Sequence, residues 1–170
     1  MRRDDKEPAV RFILQQQWAA FRDAFAVKDE TGREQYTVRS DYFSWGKHLT
    51  MSAATGSEVA EIRQVLFSWG LAYDVFYQGT LVAKVTKDWF TFGSCRFTID
   101  VPGPDDLLAQ GDFWDHEYVI RRGEETVATV SKKWFAWTDT YAVDVPDPQY
   151  VLLVLACVLV IDCCCHDRKD

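Results

Sequence analysis

Positive charge is scarce in this sequence: 19 lysines and arginines stand against 26 aspartates and glutamates, leaving a formal net charge of −7 over 170 residues. Nucleic acid is therefore not an expected partner, because binding it calls for a basic face that neutralises phosphates. The same imbalance weakens docking on anionic lipid. Motifs of catalysis are missing too, with no phosphate-cradling glycine loop, no nucleophile elbow and no paired metal-ligand spacing. An enzyme is the weaker expectation, and no cofactor is implied. No secretory leader opens the sequence as given, since MRRDDKEPAV is charged and no apolar segment follows it. The five cysteines are odd in number, and four of them (Cys157, Cys163, Cys164 and Cys165) crowd into one apolar stretch. Such usage suits a reducing compartment, hence the cytoplasm, better than a disulfide framework.

That apolar stretch, Tyr150 to Cys165, is the most continuous in the chain, and from Val151 to Ile161 it has no polar face. A surface helix would carry one, so this segment is expected to be a helix, about 148–165, surrounded by the rest of the protein. A membrane span needs about 20 predominantly apolar residues, and Asp162 interrupts this run; no transmembrane span is expected. At about 1.5 Å of rise per residue the segment is roughly 24 Å long, right for the inside of a small barrel. Pro146 and Pro148 break what precedes it, and Asp147 is placed to cap it.

Elsewhere the punctuation is that of antiparallel strands. Residues 1–8 read as a flexible arm and 9–166 as a single domain, large enough to bury roughly 70 per cent of the surface its unfolded chain exposes. One segment reads differently. Leu14, Trp18, Phe21 and Phe25 fall at helical spacing, so pattern alone predicts a helix over about 11–24. From Phe25 the signal is again a hairpin, with its turn at Asp29–Gly32.

Beyond it a repeat appears. Phe43-Ser44-Trp45-Gly46 recurs as Phe67-Ser68-Trp69-Gly70, as Phe90-Thr91-Phe92-Gly93, loosely as Phe113-Trp114 and finally as Phe135-Ala136-Trp137-Thr138, at spacings of 24, 23, 23 and 22. Each interval holds two short strands and their turns, so the repeating unit is a hairpin. Ala60 and Ile62 match Ala83 and Val85, and again Ala128 and Val130. With side chains alternating at period two, these share a face, while Glu61, Lys84 and Thr129 point the other way. Small residues at matching places leave room for a helix to lie close against the sheet. Hairpins with one apolar face bury it together, and closure removes their edges.

The FSWG repeats, the run Gly111-Asp112-Phe113-Trp114-Asp115-His116-Glu117-Tyr118, the run from Val127 to Trp134, Asp139-Thr140-Tyr141 and the terminal Val160-Ile161-Asp162 together resemble the LURP-one-related family, in its bacterial-type branch. That family is grouped with the tubby C-terminal domain and the phospholipid scramblases. The resemblance runs from about Phe12 to Asp162. It implies a mainly β fold: a closed antiparallel barrel of about twelve strands around the buried C-terminal helix. It also replaces the helix over 11–24 by strand, with at most a short helical turn near Trp18–Arg22. Tubby domains bind phosphoinositides, but no basic cluster here matches their motif, and no match to the scramblase calcium-binding segment is found. The resemblance implies a non-catalytic cytosolic binding or regulatory module, expected to be a monomer. The alternative is a scramblase-type lipid-handling protein, for which Val151–Ile161 would have to leave the barrel.

The chemical candidates follow. Asp162, Cys163, Cys164, Cys165, His166 and Asp167 are the densest cluster of potential metal ligands, and on a helix Asp162 and His166 share a face with Cys163 near His166. Structural zinc usually takes four ligands with paired spacings. The expectation is therefore no metal site, only a helix end filling a barrel mouth. His116 lies between two acids in a turn and is expected to bond to backbone rather than to act as a general base. His48 follows Gly46-Lys47 and is expected in a solvated turn. The candidate contacts for an anion or an anionic phospholipid are Lys84, Lys87, Lys132 and Lys133, at related places in two repeats, with Arg121 and Arg122 in a turn. The plainer reading is that exposed lysines keep strands from adhering to one another.

Overall fold

The first strand, β1 (Val10–Ala19), hydrogen-bonds to two partners, β2 (Arg22–Asp29) on one side and β12 (Thr140–Val145) on the other. That double pairing closes the sheet. Between them run β3 (Glu34–Phe43), β4 (Gly46–Ala53), β5 (Glu58–Gln64), β6 (Ala72–Tyr77), β7 (Thr80–Asp88), β8 (Arg96–Asp100), β9 (Leu107–Asp112), β10 (Glu117–Arg122) and β11 (Glu125–Ser131), each antiparallel to its sequence neighbours. A barrel in sequence order leaves no open edge. The computed structural model describes residues 9–19, 22–43, 46–66, 70–88, 95–132 and 140–166. The arm over 1–8 lies outside them, as do most residues of the aromatic repeat.

Turn chemistry sets the hairpins where the sequence places them. Asp29 Oδ1 accepts from the backbone nitrogens of Thr31 and Arg33 at 2.8 and 3.0 Å, building the turn between β2 and β3. Between β6 and β7 only Gln78 and Gly79 intervene, at φ +48° and +77°. Two left-handed residues in succession give the turn whose twist matches that of paired strands.

The helix expected over 11–24 does not form. Phe12 and Leu14 are buried while Arg11 is exposed, the period of a strand, and β1 is needed for closure. Leu14 and Phe25, though at helical spacing, lie on two adjacent strands, with Leu14 opposite Val27 and Gln16 opposite Phe25. The side chains of Trp18 and Phe21 fall outside the described residues. Of the short helical turn expected near Trp18–Arg22, residues 18, 19 and 22 belong to strands, and 20–21 lie outside the described residues.

Through the barrel runs α1 (Val151–His166), entered by a single 3-10 turn over Pro148–Tyr150. Asp147 caps that turn, its Oδ1 accepting from Gln149 N at 3.0 Å. Every residue from Val154 to Cys163 is buried. Facing them are Leu49, Met51, Ile62, Ile99 and Ile120 from the strands, all fully buried. Ala60, Ala83, Ala109 and Ala128 are also buried in this core, so the small residues of the repeat are where the helix needs them. Glu61 is half-buried and Lys84 and Thr129 are exposed, as the alternation requires.

Candidate functional site

The polar chemistry of the interior gathers where α1 ends, and a tight connection between β9 and β10 brings it there. Gly111, at φ +141°, lets the two strands approach: a β-carbon at that position would lie 2.5 Å from the carbonyl oxygen of Glu117 and 2.6 Å from Tyr118 Cα. Asp112 then folds the turn back, its Oδ1 accepting from Trp114 N and Asp115 N at 3.0 and 3.1 Å. His116 closes the turn in the left-handed region, at φ +53°. Phe113 goes inward, edge-on to Phe97 at 5.0 Å, while Trp114 stays 67% exposed.

His116 is not the backbone-bonded turn histidine expected from its neighbours. It is buried, and its Nε2 lies 3.0 Å from Oδ1 of Asp162 on the helix. A carboxylate only accepts, so this nitrogen donates; in the neutral ring the lone pair is then on Nδ1. One turn further along α1, His166 Nε2 donates to the carbonyl of Phe113 at 3.0 Å, which leaves its Nδ1 likewise unprotonated in the neutral ring. The three rings of Tyr141, His116 and His166 form a stack with successive centroids 4.3 Å apart, and Trp114 meets His166 edge-on at 5.7 Å. Burial pushes the phenols of Tyr118 and Tyr141 well above their ordinary range, and the nearby Asp162 adds to the effect. Both therefore stay neutral. Two atoms of this group are buried without a hydrogen-bond partner among the described residues, His116 Nδ1 and the Tyr141 hydroxyl.

One donor atom from each of His116, Asp162 and His166 lies within 4.8 Å of the other two. The pairing of Asp162 with His166 was readable from their spacing on one helix. Cys163 is buried in the core and lies close enough to Tyr141 to push its phenol up further. His116, which completes the group, is 46 residues from Asp162 in sequence, and only the turn-forming Asp112 hinted that its position is held rigidly. His48 differs from expectation as well. It sits in β4, half-buried, with Nε2 2.6 Å from Glu61 Oε1.

Among the described residues the basic candidates do not form one group. β7 and β11 are separated by β8, β9 and β10. Lys84 is exposed on β7 with Nζ 3.7 Å from Asp74, and its register partner on β8 is Asp100. Lys87 donates to the carbonyl of Cys164 at 3.2 Å, tying β7 to the end of α1. Lys132 follows β11, its backbone nitrogen bonded to Glu117. Arg122 is turned against the helix entrance, donating to the Tyr150 hydroxyl at 2.7 Å, whereas Arg121 is exposed. Lys133 lies outside the described residues.

A family model described as LURP-one-related matches residues 10–162. The chain belongs to the LURP-one-related family. It is 30% identical over 161 residues to the Bacillus subtilis protein YxjI, described as uncharacterized, with 95% of this chain and 97% of that protein covered. Among solved structures it is similar to the X-ray structure of a protein from Arabidopsis thaliana, with a TM-score of 0.65 and 91% of each chain covered. At 15% identity that likeness concerns the fold. The LURP-one-related barrel, its twelve strands and its enclosed helix agree with what the FSWG and GDFWDHEY runs imply.

Proposed function

We propose that this LURP-one-related chain is a non-catalytic, cytoplasmic binding module that works from its outer surface and barrel ends as a monomer, with weak, salt-sensitive contact to anionic phospholipid headgroups. One observation carries the reading: the barrel interior is occupied by the chain's own helix, buried continuously from Val154 to Cys163. A ligand is thereby left the exterior, where Arg121 and Lys84 are exposed. The contact is weak on this reading because Asp74 and Asp100 stand beside Lys84 and the net charge is −7.

Sedimentation with phosphatidylserine vesicles tests it. Partial binding at low salt, reduced by Arg121→Glu and absent with phosphatidylcholine vesicles, is expected. Recovery of all the protein in the supernatant at low salt would remove the lipid contact.

A second reading has an observation of its own. Pro148–His166, at 19 residues, is long and apolar enough to cross a membrane by length and composition. A scramblase-type role would require it to leave the barrel. Its departure would turn Leu49, Met51, Ile62, Ile99 and Ile120 toward water, at about 25 cal/mol for each Å² of apolar surface exposed. Partition of the full chain into detergent would favour this reading, and recovery in the aqueous phase the first.

A further inference from the structure

We propose that His116, Asp162 and His166 bind one divalent transition-metal cation of the zinc class, which fastens the end of α1 to the β9–β10 turn. The three residues come from two separate parts of the chain and converge with their donor atoms within 4.8 Å. Asp162 and His166 lie four apart on one helix face, and His116 is delivered against them by a turn held in place by Asp112 and Gly111.

Two of the donor atoms are already close to ligand spacing. His116 Nε2 and Asp162 Oδ1 stand 3.0 Å apart, and a cation would take the place of the proton they share. Metal-bound histidines commonly donate their second nitrogen to a carboxylate or a backbone carbonyl, which fixes the tautomer and the ring orientation. His166 does so through Nε2, to the carbonyl of Phe113, and in the neutral ring keeps the lone pair of Nδ1 for the cation.

Two imidazoles and a carboxylate suit zinc, cobalt, nickel or ferrous iron over calcium or magnesium, which take oxygen ligands. Three protein ligands leave a further position for water, reached on the side where His166 is half-buried. Coordination requires movement. The rings of His116 and His166 are parallel within 7°, and ligands at about 2.0–2.1 Å around one zinc stand about 3.3 Å apart. Closing from 4.8 Å takes a tilt of His166, which sits in the last turn of the helix.

The test uses the full chain, stripped with a chelator and dialysed, then titrated with zinc alone by calorimetry and with cobalt(II) by absorption. One equivalent of zinc is expected to bind. Cobalt should give ligand-field bands without a thiolate-to-cobalt charge-transfer band. His166→Ala, at the helix end, should keep the circular dichroism of the parent and lose more affinity than the roughly 10–100-fold that a missing supporting contact costs. Asp162→Asn should weaken binding as well, and zinc should raise the melting temperature of the parent but not of His166→Ala. Cys164→Ser should bind as the parent does. No stoichiometric uptake, uptake unchanged in His166→Ala, or uptake abolished in Cys164→Ser would each overturn the site.

Discussion

Arg11 grips Asp144 across the line where the barrel closes, its Nε and Nη2 donating to the two carboxylate oxygens at 2.6 and 3.0 Å. The two residues are register partners on the first and last strands, so the longest-range pairing in the fold carries a bidentate ion pair on its outer face. Both side chains are part-exposed, at 43% and 32%, which limits what the pair contributes. A double-mutant cycle with Arg11→Ala and Asp144→Ala should give a coupling of about 0.2–1 kcal/mol that shrinks with added salt. Amide exchange of β1 and β12 should quicken in either variant. A coupling of zero at low salt would mean that the backbone ladder alone holds the seam.

The alanines facing the helix should tolerate no enlargement. Ala83 is buried between Val75 on the neighbouring strand and α1, where packing is near crystal density. Ala83→Leu should destabilise by about 1–3 kcal/mol, because an overpacked site forces neighbours off their rotamers or shifts the backbone. The adjacent, outward Lys84→Leu should stay within roughly 0.5 kcal/mol. Urea unfolding measures both, and equal effects would show that the helix does not press on this face.

Gly111 should be as restrictive for a different reason. An alanine there would take an L residue into the left-handed region and drive its β-carbon into the backbone of Glu117 and Tyr118. The strain alone is of order 1–3 kcal/mol. Because those backbone atoms begin the strand after His116, Gly111→Ala should also change the environment of that imidazole. Histidine NMR signals of His116 and His166 should shift together, whereas Gly56→Ala, in a turn with open space around it, should leave them in place.

Which parts of this were legible follows from the range over which each signal acts. The helix announced itself because a run without a polar face has only one kind of surroundings available, and the alanine stripe because period two is local. The barrel order was implied by hairpins of even length. Leu14 and Phe25 misled because a hairpin can place two apolar residues at a separation that a helix would also give. Lys87 on β7 and Lys132 just after β11 matched in repeat position but not in space, since similarity of position within a unit says nothing about how many strands lie between. His116 met Asp162 only through closure of the whole barrel.

Acid should reveal the ion-pair group of β4 and β5. Burial pushes the Glu61 carboxyl up, but the hydrogen bonds from Arg63 and His48, together with their charges, outweigh it and hold the group below its ordinary 4.5. Arg63 donates through Nε at 2.9 Å and Nη2 at 2.6 Å, and His48 Nε2 lies 2.6 Å away. A carboxyl that binds its proton less readily when folded adds stability at pH above its unfolded value, and that contribution disappears as pH falls through the lower, folded one. Arg63 is more than half exposed, so solvent screening keeps the contribution below about 1 kcal/mol. Glu61→Gln should therefore cost up to that amount at neutral pH and nothing in strong acid, and the fall in stability from just above 4.5 downward should be shallower in the variant. Urea titrations across that range measure it, and parallel curves for the two proteins would remove Glu61 from the acid response.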